Sequence, residues 1–334
     1  MSAERAEAPR EKIAILGAGR MGRGIATVFA YAGHEVALID FKARPAPDFD
    51  ALARKAEAEV RETLALLAEL GLFAPGPAVE TIAGRVALVS RGDAAPALRA
   101  ADIVFEGFPE IVALKREALA EASALVGPEA IIASTTSTIL VDDLSPAVAG
   151  PGRFLNAHWL NPAFLVPLVE IAPGAGTDPA VVDRLCAVLE RIGKVPVRCA
   201  PSPGYIVPRL QSVAMNEAAR LVEEGVASVE EIEKAVRYGF GLRFSVLGLL
   251  EFIDWGGGDT LYHASRYLAG ALGDERYAAP AIVRRNMEEG RIGLTAGRGF
   301  LDHEGRDVPA YRQERLAAFV DRLRAQGLAY PPRL

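Results

Sequence analysis

Four histidines occur in the chain, and His158 alone sits among other polar groups, in NAHWLNPAFLVPLVE, with Asn161 three residues later and Glu170 twelve later. An imidazole paired with a carboxylate keeps one tautomer and is stabilised when it takes up a proton, which suits acid–base work near neutral pH. Asn161-Pro162 is a turn signal, and a strand, turn, strand reading of the segment folds Glu170 back towards His158. Upstream, ASTTST places Ser134 and Ser137 just after an apolar run, at what would be the carboxyl edge of a sheet, where open α/β folds bind ligands. One hydroxyl there can hydrogen-bond a reacting oxygen. Taken singly, these are equally a core histidine, a turn serine and a strand-end charge. As a group they describe the proton half of an alcohol oxidation, in which a base removes the hydroxyl proton while hydride leaves the same carbon.

The other half is carried by GAGRMGRG, residues 17–24. Gly17, Gly19 and Gly22 form GxGxxG, Arg20 and Met21 stand between the last two, and Gly24 extends the pattern. The motif follows an apolar run, Lys12 to Leu16, and opens a helical stretch that ends near Gly33. A second apolar run, Glu35 to Asp40, closes on an acid 18 residues beyond Gly22, which completes the context of a dinucleotide fingerprint. The glycines allow a tight turn, a close backbone approach to a pyrophosphate, and close packing of the helix on the sheet, while the helix N-terminus offers free N–H groups to the phosphates. Asp40 would accept from the adenine-ribose hydroxyls and repel a 2′-phosphate, predicting NAD rather than NADP; Lys42 and Arg44 nearby soften that choice.

Other chemistries lack their patterns. No HxxxH or Cys/His cluster predicts a metal site, and a hydrolase built on Ser137, His158 and Glu170 would lack GxSxG and leave the glycines unexplained.

Further apolar runs at 85–90, 101–107, 130–135, on either side of His158 and at 194–200 alternate with helical segments, predicting a mostly parallel, doubly wound α/β sheet. Residues 49–71 are long, charged and alanine-rich with leucines at helical spacing, and read as a helical excursion. Pro201 to Gly204 breaks the chain, and helices are predicted beyond it at 211–225, 228–239, 247–254, 260–271 and 311–325. Ser228 followed by Glu231 marks one helix start as a capping box. The expected organisation is a Rossmann-type NAD-binding domain over 1–200 and an all-α C-terminal domain over 201–334.

Composition agrees with a two-domain globular protein. The chain has 334 residues, 51% of them hydrophobic, and Lys plus Arg number 37 against 43 acids, for a net charge of −6. A mildly acidic chain without a basic, aromatic-interleaved patch is a poor nucleic-acid binder. Cys186 and Cys199 stand far apart outside any CxxC, as expected of free thiols in a reducing compartment. The leader MSAERAEAPREK has no apolar core and no run of about 18 apolar residues follows, so we expect a cytoplasmic protein with no membrane partner.

From about Lys12 to Gly305 the chain resembles the 3-hydroxyacyl-CoA dehydrogenase family, through ILGAGRMGRG, FEGFPE, ASTTST, HWLNP, PLVE and PGYIVPRL. The resemblance implies interconversion of an L-3-hydroxyacyl thioester, 3-hydroxybutyryl-CoA in type, and its 3-keto form by a homodimer, and it assigns substrate binding and dimerisation to the helical half over 201–334. It implies His158 as base, Glu170 as its orienting partner, Ser137 at the substrate hydroxyl, Asn161 lining the site, and Glu110 and Lys115 near the nicotinamide half of NAD. Two positions depart from the pattern. Pro208 stands where the family has an asparagine, leaving Gln211 or Asn216 to compensate, and Pro167 stands where acyl-CoA members commonly have lysine. Pro167 and GLRF, with Arg243 as a carboxylate ligand, are similar to the gulonate and carnitine dehydrogenase relatives, which act on free hydroxy acids. A weakly catalytic NAD(H) sensor or structural protein is the remaining alternative.

Overall fold

The computed structural model describes residues 10–74 and 76–332; the first nine residues of the charged leader lie outside these. By internal contacts the chain divides into two compact units, the first ending at Ala214 and the second beginning at Met215.

The first unit is built on an eight-stranded sheet: β1 (Ile13–Leu16), β2 (Val36–Asp40), β3 (Val86–Ser90), β4 (Ile103–Glu106), β5 (Ile131–Ser134), β6 (Phe154–Trp159), β7 (Leu168–Pro173) and β8 (Val195–Arg198). Their spatial order is β3-β2-β1-β4-β5-β6-β7-β8, and every neighbouring pair is parallel except β6 with β7. Strands β1, β4 and β5 are buried along their whole length, as parallel strands covered on both faces must be. Their side chains alternate between two cores. Ile13, Ile15, Ile103, Phe105, Ile131 and Ala133 face one, with Ile25 and Phe29 of α1 (Arg20–Tyr31) packed on them. Ala14, Leu16, Val104 and Ile132 face the other. Helices α2 (Ala46–Glu69) and α3 (Pro77–Ala83) follow β2, and α4 (Ala94–Ala100) precedes β4. Helix α5 (Val112–Leu125) covers the second core with Ala118, Leu119 and Ala122. The short α6 (Val141–Leu144) and then α7 (Pro179–Arg191) complete the layers. The predicted excursion at 49–71 is α2, which starts three residues earlier because Pro47 and Asp48 in its first turn supply a helix-start signal.

Strand order reverses at β1: β2 and β3 lie on one side, β4 to β8 on the other. The crevice outside the carboxyl ends of β1 and β4 is therefore the topological switch point, where such sheets take their ligands.

Helix α8 (Val207–Glu223) carries the chain from the first unit into the second. The second unit contains α9 (Val229–Ala235), α10 (Leu242–Phe244), α11 (Leu249–Gly256), α12 (Gly258–Leu272), α13 (Ala281–Glu288) and α14 (Val308–Ala325). Ser228 caps α9, its hydroxyl accepting from Glu231 N at 3.3 Å. Three expectations need correcting. His158 lies inside β6 rather than between two strands, because the apolar run FLNAHW continues through it. The helix predicted over 228–239 is α-helical only to Ala235 and widens into a π-helix over Val236–Gly241, where Gly239 and Gly241 remove the side-chain crowding that keeps a helix tight. Helix α13 was not predicted, since arginines and acids interrupt its apolar stripe.

Among the described residues, no helix is long and apolar enough to cross a membrane.

Candidate active site

A cleft of about 680 Å³ opens at the switch point, lined by Gly17 to Met21, Arg23, Asp40, Lys42, Arg44, Leu52, Gly107 to Pro109 and Asn161. Its floor is the glycine turn. Gly17 has φ +103°, open to glycine at little cost, and a Cβ on Gly22 would stand 2.0 Å from the Gly17 carbonyl oxygen. Gly19 is different: its φ of −78° suits any residue, and a Cβ there would meet no protein atom within 4 Å. It is the N-cap of α1 and makes no side-chain cap, so the first N–H groups of the helix face the cleft. The floor thus has the shape and polarity to cradle a pyrophosphate, and the residues present fit a dinucleotide. At the far end, Asp40 is 4% exposed and accepts a hydrogen bond from Arg44 Nε, an i,i+4 ion pair beside Lys42.

The second part of the site is the dyad. In the antiparallel register His158 stands directly opposite Glu170, so both side chains leave the sheet on one face. His158 Nδ1 lies 2.7 Å from Glu170 Oε2. A carboxylate only accepts, so Nδ1 carries the proton and the Nε2 lone pair remains for a substrate; Nε2 makes no hydrogen bond among the described residues. Glu170 is fully buried, and its Oε1 accepts from the backbone N–H groups of Ile206 and Val207 at 2.9 and 2.8 Å. The carboxylate therefore caps the start of α8. Pro208 is compatible with that start: Arg209 N and Leu210 N donate to Gly204 O and Ile206 O, and proline contributes no N–H that would need a partner. Gln211, one turn on, is exposed, and its side chain makes no hydrogen bond among the described residues.

The third part is the loop after β5. Glu110 Oε1 gathers it, accepting from Thr136 Oγ1, Ser137 N, Thr138 N and Thr138 Oγ1, the last three at 2.9 Å. Burial opposes ionisation of Glu110, but the Thr136 hydroxyl, the Lys115 charge and the Thr138 donors outweigh it and hold the carboxyl below its usual range. Ser137 is exposed, and its hydroxyl makes no hydrogen bond among the described residues. Lys115, 1% exposed, donates to both oxygens of buried Glu106 at 2.8 and 3.1 Å and to Phe108 O, and lies 3.5 Å from Glu110. In this position it acts by bracing the Glu106–Glu110 segment. Glu106 also receives Ser134 Oγ and Phe108 N.

Asn161 lies exposed at the turn between β6 and β7, ahead of a cis Asn161-Pro162 bond. Lys194 braces that turn, donating to the carbonyls of Ala163 and Val166 at 2.6 and 2.9 Å; burial lowers its pKa. Arg243, in α10 of the second unit, has its guanidinium 4.5 Å over the Phe252 ring and no acidic partner among the described residues. Sequence reasoning missed Glu106, Asn156 and Tyr205. An acid inside the apolar run IVFE with a lysine nine residues on was a usable signal for the first; the other two carry none. No cluster of His, Cys, Asp or Glu able to hold a metal occurs among the described residues.

A fingerprint turn at the switch point with a carboxylate-held imidazole in the same sheet defines an NAD-dependent oxidoreductase acting on CH–OH groups. Residues 12–202 match the 3-hydroxyacyl-CoA dehydrogenase NAD binding domain, and residues 204–303 match the C-terminal domain of the same family. The chain belongs to the 3-hydroxyacyl-CoA dehydrogenase family. It is 31% identical to a probable 3-hydroxybutyryl-CoA dehydrogenase of Deinococcus radiodurans, across 87% of this chain and all of that protein. It is 28% identical to 5-formyl-3-hydroxy-2-methylpyridine 4-carboxylate 5-dehydrogenase of Mesorhizobium japonicum, across 92% of this chain and 96% of that one. The crystal structure of a 3-hydroxyacyl-CoA dehydrogenase from Archaeoglobus fulgidus superposes with a TM-score of 0.74 at 31% identity, covering 96% of this chain and 100% of the other.

Proposed function

We propose that the protein interconverts a short L-3-hydroxyacyl-CoA and its 3-keto form with NAD, as a step in fatty-acid metabolism. The observation that carries this reading is the His158–Glu170 pair at 2.7 Å with Nε2 free. Gly17, Gly19, Arg20, Met21 and Gly22 hold the cofactor's pyrophosphate half, Asp40 its adenine ribose, and the loop braced by Glu110 and Lys115 its nicotinamide half. Bound NAD supplies the hydride acceptor. In the oxidative direction His158 Nε2 takes the hydroxyl proton, and Glu170 stabilises the imidazolium that results. Ser137 and Asn161 fix the reacting oxygen, with Gln211 in the place of the amide that Pro208 removes. Fixing both reactants is expected to supply much of the rate.

A second reading takes a CoA-free acid as substrate. It is favoured by Pro167 and by Arg243, whose guanidinium has no acidic partner among the described residues and is free to take a carboxylate in bidentate fashion. The Mesorhizobium relative is named for a free carboxylate substrate. Initial rates of NADH oxidation with acetoacetyl-CoA against free 3-keto acids separate the readings. The first expects turnover of the thioester, the second of the acid alone, and tight NADH binding without turnover of either would leave a sensor.

Asp40 supplies a test of cofactor choice. Asp40→Ala is expected to weaken NADH binding and, by freeing Arg44 beside Lys42 for a 2′-phosphate, to lower the NADH over NADPH preference by about ten-fold or more. An unchanged preference in parallel titrations would remove Asp40 from that role.

We also infer a homodimer in the cytoplasm. Helix α8 has no buried residue along its 17 residues and shows Leu210, Val213, Met215 and Val222 at 41 to 68% exposure, apolar side chains on more than one face that a second copy would cover. Sedimentation equilibrium should return twice the chain mass of 35.5 kDa; a monomer at micromolar concentration would contradict it. Free Cys186 and Cys199 fit a reducing setting.

A further inference from the structure

We infer that Tyr205 is a positioning residue that fixes the plane of the His158 imidazole and ties it to the Ser137 loop. The inference rests on the proposed role of His158 and deepens it. Tyr205 is 5% exposed, and its ring stacks on the His158 ring with centroids 5.2 Å apart and planes 18° from parallel. One side of the imidazole is thereby covered, while Glu170 holds its Nδ1 edge. Rotation about the Cβ–Cγ bond would break both contacts together.

The phenol reaches past the imidazole. Tyr205 Oη donates to the Thr136 carbonyl at 3.1 Å, one residue before Ser137, and accepts from Asn156 Nδ2 at 3.0 Å. Asn156 is itself tied to Ile139 O, on the other side of the same loop. Burial raises the pKa of the Tyr205 hydroxyl above its ordinary value, so it stays a donor to Thr136 through the range in which a histidine titrates.

The backbone supports the same assignment. Tyr205 has φ +42°, the one non-glycine residue with positive φ among those described, and it follows Gly204 at φ +75°. A side chain in the left-handed region persists only where its surroundings over-determine it, and such residues gather at functional sites. This two-residue turn lays the Tyr205 ring on His158 and aims the next two N–H groups, of Ile206 and Val207, at Glu170 Oε1. Both members of the dyad are thus set by one turn.

The test measures kcat, KM and NADH affinity for Tyr205→Leu, Tyr205→Phe and His158→Ala with whichever 3-keto substrate the wild type reduces. Tyr205→Leu removes the stack and should lower kcat about ten-fold or more while NADH binds within about two-fold of wild type. Tyr205→Phe keeps the ring and should restore kcat, with KM raised several-fold because the Ser137 loop has lost its tether. Unchanged kcat in the leucine variant, or unchanged KM in the phenylalanine variant, overturns the inference. If the leucine variant fails to bind NADH, the phenylalanine variant alone decides. Loss of turnover in His158→Ala beside unaltered Tyr205 variants sinks this inference and leaves the base assignment standing; turnover surviving in His158→Ala sinks the base assignment itself.

Discussion

His158→Ala is expected to lower kcat by about 10³-fold, within the range general acid–base catalysis supplies, while leaving NADH affinity within about two-fold of wild type. The separation follows from the geometry. The residues lining the glycine cleft do not include His158, and the imidazole is held from the sheet side by Glu170 rather than by the fingerprint turn. The substitution leaves the Glu170 carboxylate with its two backbone donors at the start of α8, so the fold loses one of three hydrogen bonds there and keeps the cap. Fluorescence titration with NADH and steady-state rates on the same preparation check both halves. Loss of NADH binding would recast His158 as structural.

Gly19→Val is expected to do the reverse: the fold persists and NADH affinity falls by about 100-fold or more. The backbone at Gly19 already has a conformation open to any residue, and a Cβ there enters the cleft with no protein atom within 4 Å. The valine side chain occupies the space through which a pyrophosphate must approach the first turn of α1. Valine is a poorer N-cap than glycine, a cost of about 1 kcal/mol or less, so melting should shift by only a few degrees. Gly22 offers no such clean test, because its Cβ would strike the Gly17 carbonyl and disturb the turn itself. Calorimetry with NADH, paired with a melting curve, reads both effects; retained affinity would place the pyrophosphate elsewhere.

The elements that rest on period and punctuation were legible in the sequence. Apolar runs bounded by glycine or proline gave the strands, with ends shifting by only a residue or two. The Asn161-Pro162 turn foretold that Glu170 would return to His158, and the observed register places them opposite one another. What stayed hidden depends on tertiary placement. The resemblance puts Lys115 beside the cofactor, yet its ammonium is taken up by Glu106 at the end of β4, nine residues earlier, whose full burial comes from the packed sheet. Tyr205 occupies a left-handed turn that tyrosine does not advertise, and its partners lie 47 to 69 residues away in sequence. The π-helical stretch over Val236–Gly241 replaces i→i+4 by i→i+5 bonding, and Gly239 and Gly241, which permit it, read in a sequence equally as a helix end.

The most direct test of the account is a crystal structure of the protein with NAD and a 3-keto acid or thioester bound. The account predicts His158 Nε2 within about 2.6 to 3.2 Å of the substrate's C3 oxygen, with the nicotinamide C4 facing the same carbon. A nicotinamide pointing away from β6, or an imidazole beyond the reach of that oxygen in every subunit, would contradict it.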